Sequence, residues 1–320
     1  MKRRDFLQLA GGVSVAAACP VGCSTTVRRE EAVMTPLTMP PFNTTLMGVL
    51  KGALDYHGIA VSAPVLFGST GHAFLINIHR ELCPSGPYWW KRDAMQPLIA
   101  NLGVAMDDLG FFSPRNSMDE RAAVEKTLRK ALDKGIPCSL INMENQLIQG
   151  YADGAFVTLQ PWAPHVDFPP ARLTFGSWAE LGEEFHVNFY TLAKVKPTES
   201  RRAVLAGLDY AVDLHTNPAK HNLEGYAVGP GAYANWINAV AEFGPSHGNW
   251  WNATVWSECR KMASRYFADI QQRYSQVASV AAELTLAYED IAAALARASD
   301  KEMSAAVKVQ LLADTRDKDA

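Results

Sequence analysis

The chain has 320 residues and a formal net charge of −3 at pH 7, with 48% hydrophobic and 20% charged residues. This length suffices for one large domain or two modest ones, and the charge gives no electrostatic reason to expect a nucleic-acid partner. No apolar run reaches membrane-spanning length, and the spacings of the cysteines and histidines fit neither a zinc site nor a disulfide framework. The sequence therefore predicts no metal and no cofactor.

Residues 1–24 have the features of an export leader. Arg3 and Arg4 precede a Phe-Leu pair and a short apolar run that ends at Ala18, a pattern that resembles a twin-arginine signal peptide. The alternative is a basic, amphipathic start of a cytoplasmic protein. We expect residues 1–24 to be the signal peptide, and the rest of the chain to be exported to the periplasm or to the outer side of the cytoplasmic membrane.

The end of this leader allows two outcomes. The small residues at positions 16–18 suit signal-peptidase cleavage, whereas Cys19 and Cys23 would each allow a lipid anchor, although both lack the usual leucine three residues upstream. A membrane partner is expected only through such an anchor. Residues 25–41 are polar, contain prolines and show no period, so they are predicted to be a linker.

An amphipathic helix is predicted after the linker. Asn43, Thr44 and Thr45 are good N-cap residues, apolar residues follow at i, i+3 and i+4 spacing, and Gly58 ends the helix. If Thr45 has no functional role, we expect it to cap this helix. Farther along, His72 precedes a stretch of buried-strand composition, and it either faces a cleft or serves as a hydrogen-bonded structural histidine.

The next predicted elements are two helices and a strand between them. Residues 93–102 read as a helix, and residues 104–112 read as a strand that leaves it. Residues 117–134 have a clear apolar helical face, with Ser117 or Asp119 as the cap.

A hairpin region follows this second helix. Gly135 and Pro137 stop the helix, and two strands come next. Glu144 begins the second of these strands, a polar turn lies at residues 152–154, and a further strand follows the turn. Residues 185–195 then alternate between apolar and polar side chains, as a half-buried strand does.

Two stretches of this region resemble known families. Glu144 begins a strand that ends in Gly-Tyr, and Gln160-Pro161 ends the next strand. Papain-like cysteine peptidases of the bacteriocin-processing (C39-like) kind have their catalytic histidine and an Asp-Pro pair at the matching places. The helix that closes in Tyr-His-Gly is similar to the start of the butirosin-biosynthesis-protein-H N-terminal family, which shares the papain-like core. Together the resemblance covers about residues 42–195.

This resemblance implies an α+β fold, with a papain-like core over residues 42–197 in which an N-terminal helix packs on an antiparallel sheet. The cysteine, histidine and aspartate positions of the family would fall on Thr45, Glu144 and Gln160, so all three are replaced. We expect Thr45 and Glu144 to face each other across one groove, with Gln160 behind. The dipole of the first helix would then favour the ionised form of Glu144.

The rest of the chain is predicted to be helical. In a helical domain over residues 198–298, apolar residues recur at alternating spacings of three and four from Trp256 to Leu295. No glycine or proline interrupts them, so the pattern predicts one long helix. Its apolar seam would pack on the earlier helices or, alternatively, on a second subunit in a homodimer. Residues 299–320 are predicted to be a polar tail whose last part, residues 314–320, is frayed.

Two classes of function remain open. The replaced Cys-His-Asp positions favour a protein that binds a small molecule or peptide in the former catalytic cleft. The alternative is a divergent amidase, peptidase or acyl transferase, which needs a nucleophile, a base and an orienting group within hydrogen-bonding reach. The candidate cleft residues are Thr45, Glu144, Gln160 and His72.

Overall fold

The computed structural model describes residues 31–162 and 168–319. It is a mixed α+β protein in which an antiparallel sheet is followed by several C-terminal helices, and this confirms the predicted class. The predictions made for residues 1–30, including the signal peptide, Cys19 and Cys23, lie outside the described residues. Within the described ranges, no helix is both long enough and apolar enough to cross a membrane.

Strands and helices are numbered in chain order. The strands are β1 (Ala32–Val33), β2 (Asn77–His79), β3 (Val104–Phe112), β4 (Cys138–Asn142), β5 (Glu144–Ala152), β6 (Ala155–Thr158), β7 (Arg172–Thr174), β8 (Val187–Lys194) and β9 (Tyr226–Val228). The helices are α1 (Thr45–Tyr56), α2 (Ala63–Ser69), α3 (Gln96–Asn101), α4 (Met118–Asp133), α5 (Ser200–Thr216), α6 (Pro230–Phe243), α7 (His247–Arg273), α8 (Ala278–Ala298) and α9 (Ala305–Asp319).

The main sheet has the strand order β3-β8-β4-β5-β6-β7, and β1 pairs with β5 at its end. A separate pair joins β2 to β9. Helix α1 packs across β5 with its apolar side chains buried, as an amphipathic helix on a sheet must. Gly52 allows the chain to pass close to this helix, because a Cβ there would lie 2.1 Å from the Thr38 carbonyl oxygen and 2.6 Å from Leu147 Cδ1.

Local signals predicted some elements well. Strand β3 has the predicted bounds, and α4 begins directly after Ser117. Ser117 accepts a hydrogen bond from the Glu120 amide, while the Glu120 side chain accepts from the Ser117 amide, which makes a capping box. Here the cap and the apolar period point to the same structure, so the boundary is encoded within a few residues.

The linker prediction is wrong for residues 31–41. Strand β1 extends the main sheet, and Met34 and Leu37 are buried in the core. Gly150 lets β1 approach, because a Cβ at this position would lie 2.0 Å from the Ala32 carbonyl oxygen. The polar, proline-containing composition of this segment concealed its two apolar anchors.

The prediction of one long C-terminal helix is also wrong. Helix α7 ends at Arg273. The next residue, Tyr274, has φ −129° and ψ 87°, and a 3-10 turn over Ser275–Val277 leads into α8. Helix α8 folds back on α7, so most of the seam from Trp256 to Leu295 is buried within the chain, whereas Val277, in the turn between the two helices, is exposed. This confirms the intramolecular alternative for the seam, whereas the homodimer stays a prediction.

The predicted frayed tail is instead helix α9, which packs against α6 and α8. Lys308 is buried and donates to the carbonyl oxygens of Ala298, at 2.8 Å, and Asp300. At the other end of α9, the carboxylate of Asp319 lies 2.6 Å from the guanidinium of Arg260, and both side chains are buried. These two polar anchors explain how a segment of polar composition is held in the fold.

Candidate functional site

A cleft of about 1050 Å³ opens where the loop after β2, the β4–β5 turn, β8 and the start of α7 meet. Its walls are mainly aromatic and include Trp89, Trp162, Trp250 and Trp251. A cleft of this size is large enough for a small molecule or a short peptide, since ligand sites of this kind occupy about 300–1,000 Å³. The aromatic rings supply apolar contact area, so a few polar groups must set the orientation of any ligand.

Glu144, the first residue of β5, lies at the base of this cleft and is 5% exposed. Thr45 Oγ1 donates to Glu144 Oε2 at 2.8 Å, and the Tyr88 hydroxyl donates to Glu144 Oε1. Trp251 Nε1 in turn donates to the Tyr88 hydroxyl at 2.5 Å. The structure thus brings Thr45 and Glu144 together, and it adds a hydrogen-bonded chain from α7 to the acid.

Thr45 is not placed as a nucleophile. Its hydroxyl donates to Glu144 and accepts from the Asn145 amide at 3.0 Å and from Asn145 Nδ2 at 3.2 Å. The residue is 1% exposed and does not line the cleft. Its hydroxyl therefore serves as a buried connection between α1 and β5.

The start of α1 is capped from another helix, and not by the threonine side chains that the sequence suggested. The N-cap Thr44 makes no side-chain cap bond. Instead, Glu258 of α7 accepts from the Thr44 amide at 2.7 Å and from the Asn43 amide at 3.1 Å. A carboxylate is favourable at this end of the helix dipole, and it occupies the two amides that directly precede α1.

The expectation that Glu144 is ionised is not met. Burial raises the pKa of Glu144 to about 8, and the hydrogen bonds from Tyr88 and Thr45 only partly oppose this effect. No basic side chain among the described residues forms an ion pair with Glu144. Because desolvation outweighs these hydrogen bonds, Glu144 is predominantly a neutral acid at neutral pH.

Gln160 and His72 do not join this group. Gln160 Nε2 donates to the Pro169 carbonyl oxygen at 2.7 Å, and the side chain is absent from the cleft wall. His72 lies in a 3-10 turn, is 1% exposed and packs against Trp90 with ring centroids 5.2 Å apart. Burial, with smaller contributions from Arg92 and Arg260, lowers the pKa of His72 to about 3, so this histidine is neutral.

Arg92 is a cleft residue that sequence reasoning missed. Its Nη2 donates to the Tyr88 carbonyl oxygen at 2.9 Å, its Nη1 donates to the Tyr190 hydroxyl at 3.4 Å, and the guanidinium lies 4.6 Å from the centroid of the Trp90 ring. Burial lowers the pKa of Arg92, although an arginine keeps its charge. The run Tyr-Trp-Trp-Lys-Arg at positions 88–92 was the available signal, because aromatic and basic residues were adjacent in a loop.

The thiols do not supply an activated nucleophile. Cys138 and Cys259 are fully buried, and burial raises the pKa of both, that of Cys259 to about 12. Cys83 lies in the cleft wall and accepts a hydrogen bond from Ser85 Oγ at 2.9 Å. In the described part of the chain, no cluster of three or more His, Cys, Asp or Glu side chains could hold a metal ion.

The arrangement can bind and exchange protons. As a neutral acid Glu144 can donate a hydrogen bond, and as a carboxylate it can accept one or pair with a cation. The Tyr88 hydroxyl can turn to suit either state, because Trp251 holds its oxygen. Comparison with protein-family models, curated proteins and solved structures found no match to this chain.

Proposed function

We propose that this chain is an exported protein with a papain-like fold that has lost the Cys-His-Asp site and binds a small molecule or peptide in the aromatic cleft. The observation that carries the proposal is the hydrogen bond of 2.8 Å between Thr45 and Glu144 at the base of the cleft. These are the positions where the resemblance expects the nucleophile and its base. The packing of α1 on β5 in an antiparallel sheet is in keeping with such a core.

Binding is favoured over catalysis because the groups that chemistry would need are already engaged. The Thr45 hydroxyl is buried and hydrogen-bonded, and Glu258 occupies the amides at the start of α1. The cleft, in contrast, has open aromatic walls. Trp89 is 52% exposed there, as expected for a ring that a ligand would cover.

The test uses the aromatic dye 8-anilinonaphthalene-1-sulfonate, whose fluorescence rises in apolar clefts. We expect saturable binding to the folded mature chain, and about tenfold weaker binding to Trp89→Ala, because exposed tryptophans of a binding surface carry much of the affinity. Phe243→Ala is the matched control, since Phe243 is 59% exposed but lies outside the cleft wall. Equal affinities for both variants, or no saturable binding at all, would contradict the proposal.

A divergent amidase, peptidase or acyl transferase is the second candidate. It is favoured by one observation, a cleft acid with a pKa near 8, which suits a general acid or base at neutral pH. Iodoacetamide, which alkylates reactive thiols, tests whether the folded chain has the cysteine nucleophile that such an enzyme would use. We expect Cys138 and Cys259 to stay unmodified, and rapid stoichiometric labelling of Cys138 would favour the enzyme.

Export is a separate part of the proposal. Changing Arg3 and Arg4 to lysine should leave unprocessed precursor in the cytoplasm, because the twin-arginine route reads that pair. The control changes the second arginine pair, Arg28 and Arg29, to lysine and should leave export unaffected. Normal export of the first variant would rule out this route. Fractionation of the exported chain then distinguishes a free periplasmic protein from one anchored through Cys19 or Cys23.

A further inference from the structure

A guanidinium and a carboxyl group of the cleft wall bind opposite ends of one tyrosine. The carbonyl oxygen of Tyr88 accepts from Arg92 at 2.9 Å, and the hydroxyl of the same tyrosine donates to Glu144. The guanidinium and the carboxyl group are therefore two separate contact points that one tyrosine connects. Both side chains line the same aromatic cleft.

Neither group has an ionic partner. In the described ranges no ion pair within 4.0 Å includes Arg92 or Glu144, and the two do not pair with each other. Asp108 influences Arg92 electrostatically without forming an ion pair with it. An unpaired carboxylate at the buried position of Glu144 is costly, so the acid keeps its proton in the free protein. A ligand ammonium group would stabilise the carboxylate and so favour release of that proton to solvent, and a ligand carboxylate would pair with the partly buried Arg92.

Arg92 and Glu144 together restrict the class of ligand. A cation alone would meet Glu144 but would be repelled by Arg92, and an anion alone would meet Arg92 but leave the acid unused. A ligand that carries both charges satisfies both groups, while the aromatic walls cover its apolar parts and add cation–π attraction for an ammonium group.

We propose that the cleft binds a short zwitterion of the type of a peptide with free termini, its ammonium group on Glu144 and its carboxylate on Arg92. This inference rests on the proposed binding function. A single amino acid is too short, because both of its charged groups are attached to one carbon atom. A dipeptide or tripeptide, at up to ~3.5 Å per residue, places its two charged termini far enough apart to reach two separate groups.

The test measures binding of phenylalanyl-phenylalanine to the mature chain by calorimetry, alongside its N-acetyl, C-amide and doubly blocked forms. We expect each single block to weaken binding about tenfold to a hundredfold, which is the range of one hydrogen-bonded charge. In Glu144→Gln the N-acetyl block should have no further effect, and in Arg92→Gln the C-amide block should have none. This non-additivity assigns each terminus of the peptide to its side chain.

The controls are Glu302→Gln and Arg115→Gln, which remove exposed charges outside the cleft and should leave all four affinities unchanged. If Arg92→Gln does not unfold cooperatively, Arg92→Lys replaces it in the test. Lysine keeps the charge but not the paired donors, so this variant should lose an intermediate part of the affinity for the free peptide. Equal affinities for the free and the doubly blocked peptide would overturn the zwitterion while leaving a binding cleft. Binding of none of the four peptides would also overturn it, and the dye experiment on Trp89→Ala would still judge the proposed function separately.

Discussion

Replacing Asp319 by alanine is expected to lower the free energy of unfolding by about 3–5 kcal/mol, the usual cost of removing one partner from a buried ion pair. Asp319 accepts from Arg260 Nε at 2.9 Å and from Arg260 Nη2 at 2.6 Å, and the Tyr233 hydroxyl donates to the same carboxylate at 2.8 Å. In Asp319→Ala the guanidinium would remain buried with only the carbonyl oxygens of Ala73 and Leu75 as partners.

The measurement is urea unfolding followed by tryptophan fluorescence. Asp317→Ala is the matched control, because Asp317 lies in the same helix but pairs with Arg316 at the surface. That change should alter the free energy of unfolding by no more than about 0.5 kcal/mol. A loss of less than 1 kcal/mol in Asp319→Ala, with α9 still formed by circular dichroism, would show that the pair does not anchor the helix.

The second large effect concerns pH. A carboxyl group with an ordinary pKa of 4.5 and a pKa of about 8 in the folded protein takes up a proton on folding. Its contribution to stability is complete below pH 4.5 and is lost as the pH rises from 4.5 through 8. At about 1.4 kcal/mol per pKa unit, the loss is on the order of 3–5 kcal/mol.

Glu144→Gln, which resembles the neutral acid in shape, should remove this loss. The unfolding free energy of the variant relative to the natural chain is therefore expected to rise between pH 5 and pH 9, and the variant should be the more stable of the two at pH 9. Groups that titrate in both proteins cancel in this difference. The control is Glu302→Gln, at an exposed position, for which the difference in unfolding free energy from the natural chain should not change with pH. If the difference for Glu144→Gln does not change with pH either, Glu144 titrates normally.

The helix after Ser117 and the strand β3 could be predicted because their signals are local. A cap, an apolar period and a stop lie within a few residues of each other, and tertiary contacts only reinforce them. The break at Tyr274 could not be predicted in this way. Two helices that fold back on one another present the same apolar seam as one long helix, and no glycine or proline marks the turn.

The candidate site was predicted in part. The family resemblance drew attention to Thr45 and Glu144, which are 99 positions apart in the chain, and the structure places them in contact. Tyr88, Arg92 and Trp251 were missed as partners because they come from a loop and from α7, which no local pattern connects with β5. Gln160 was included because it falls on the aspartate position of the family, and His72 because it precedes a stretch of buried-strand composition, but neither residue lines the cleft.

If the proposed papain-like ancestry holds, Glu258 makes it harder for the chain to regain cysteine-peptidase activity. Its carboxylate holds the amides at the start of α1, and these are the donors that would otherwise help to form a reactive thiolate. The single change Thr45→Cys would place the sulfur beside the acid Glu144 and the amide of Asn145, and none of the hydrogen-bond partners described for Thr45 is an imidazole. A return to peptidase chemistry would thus require several replacements at once.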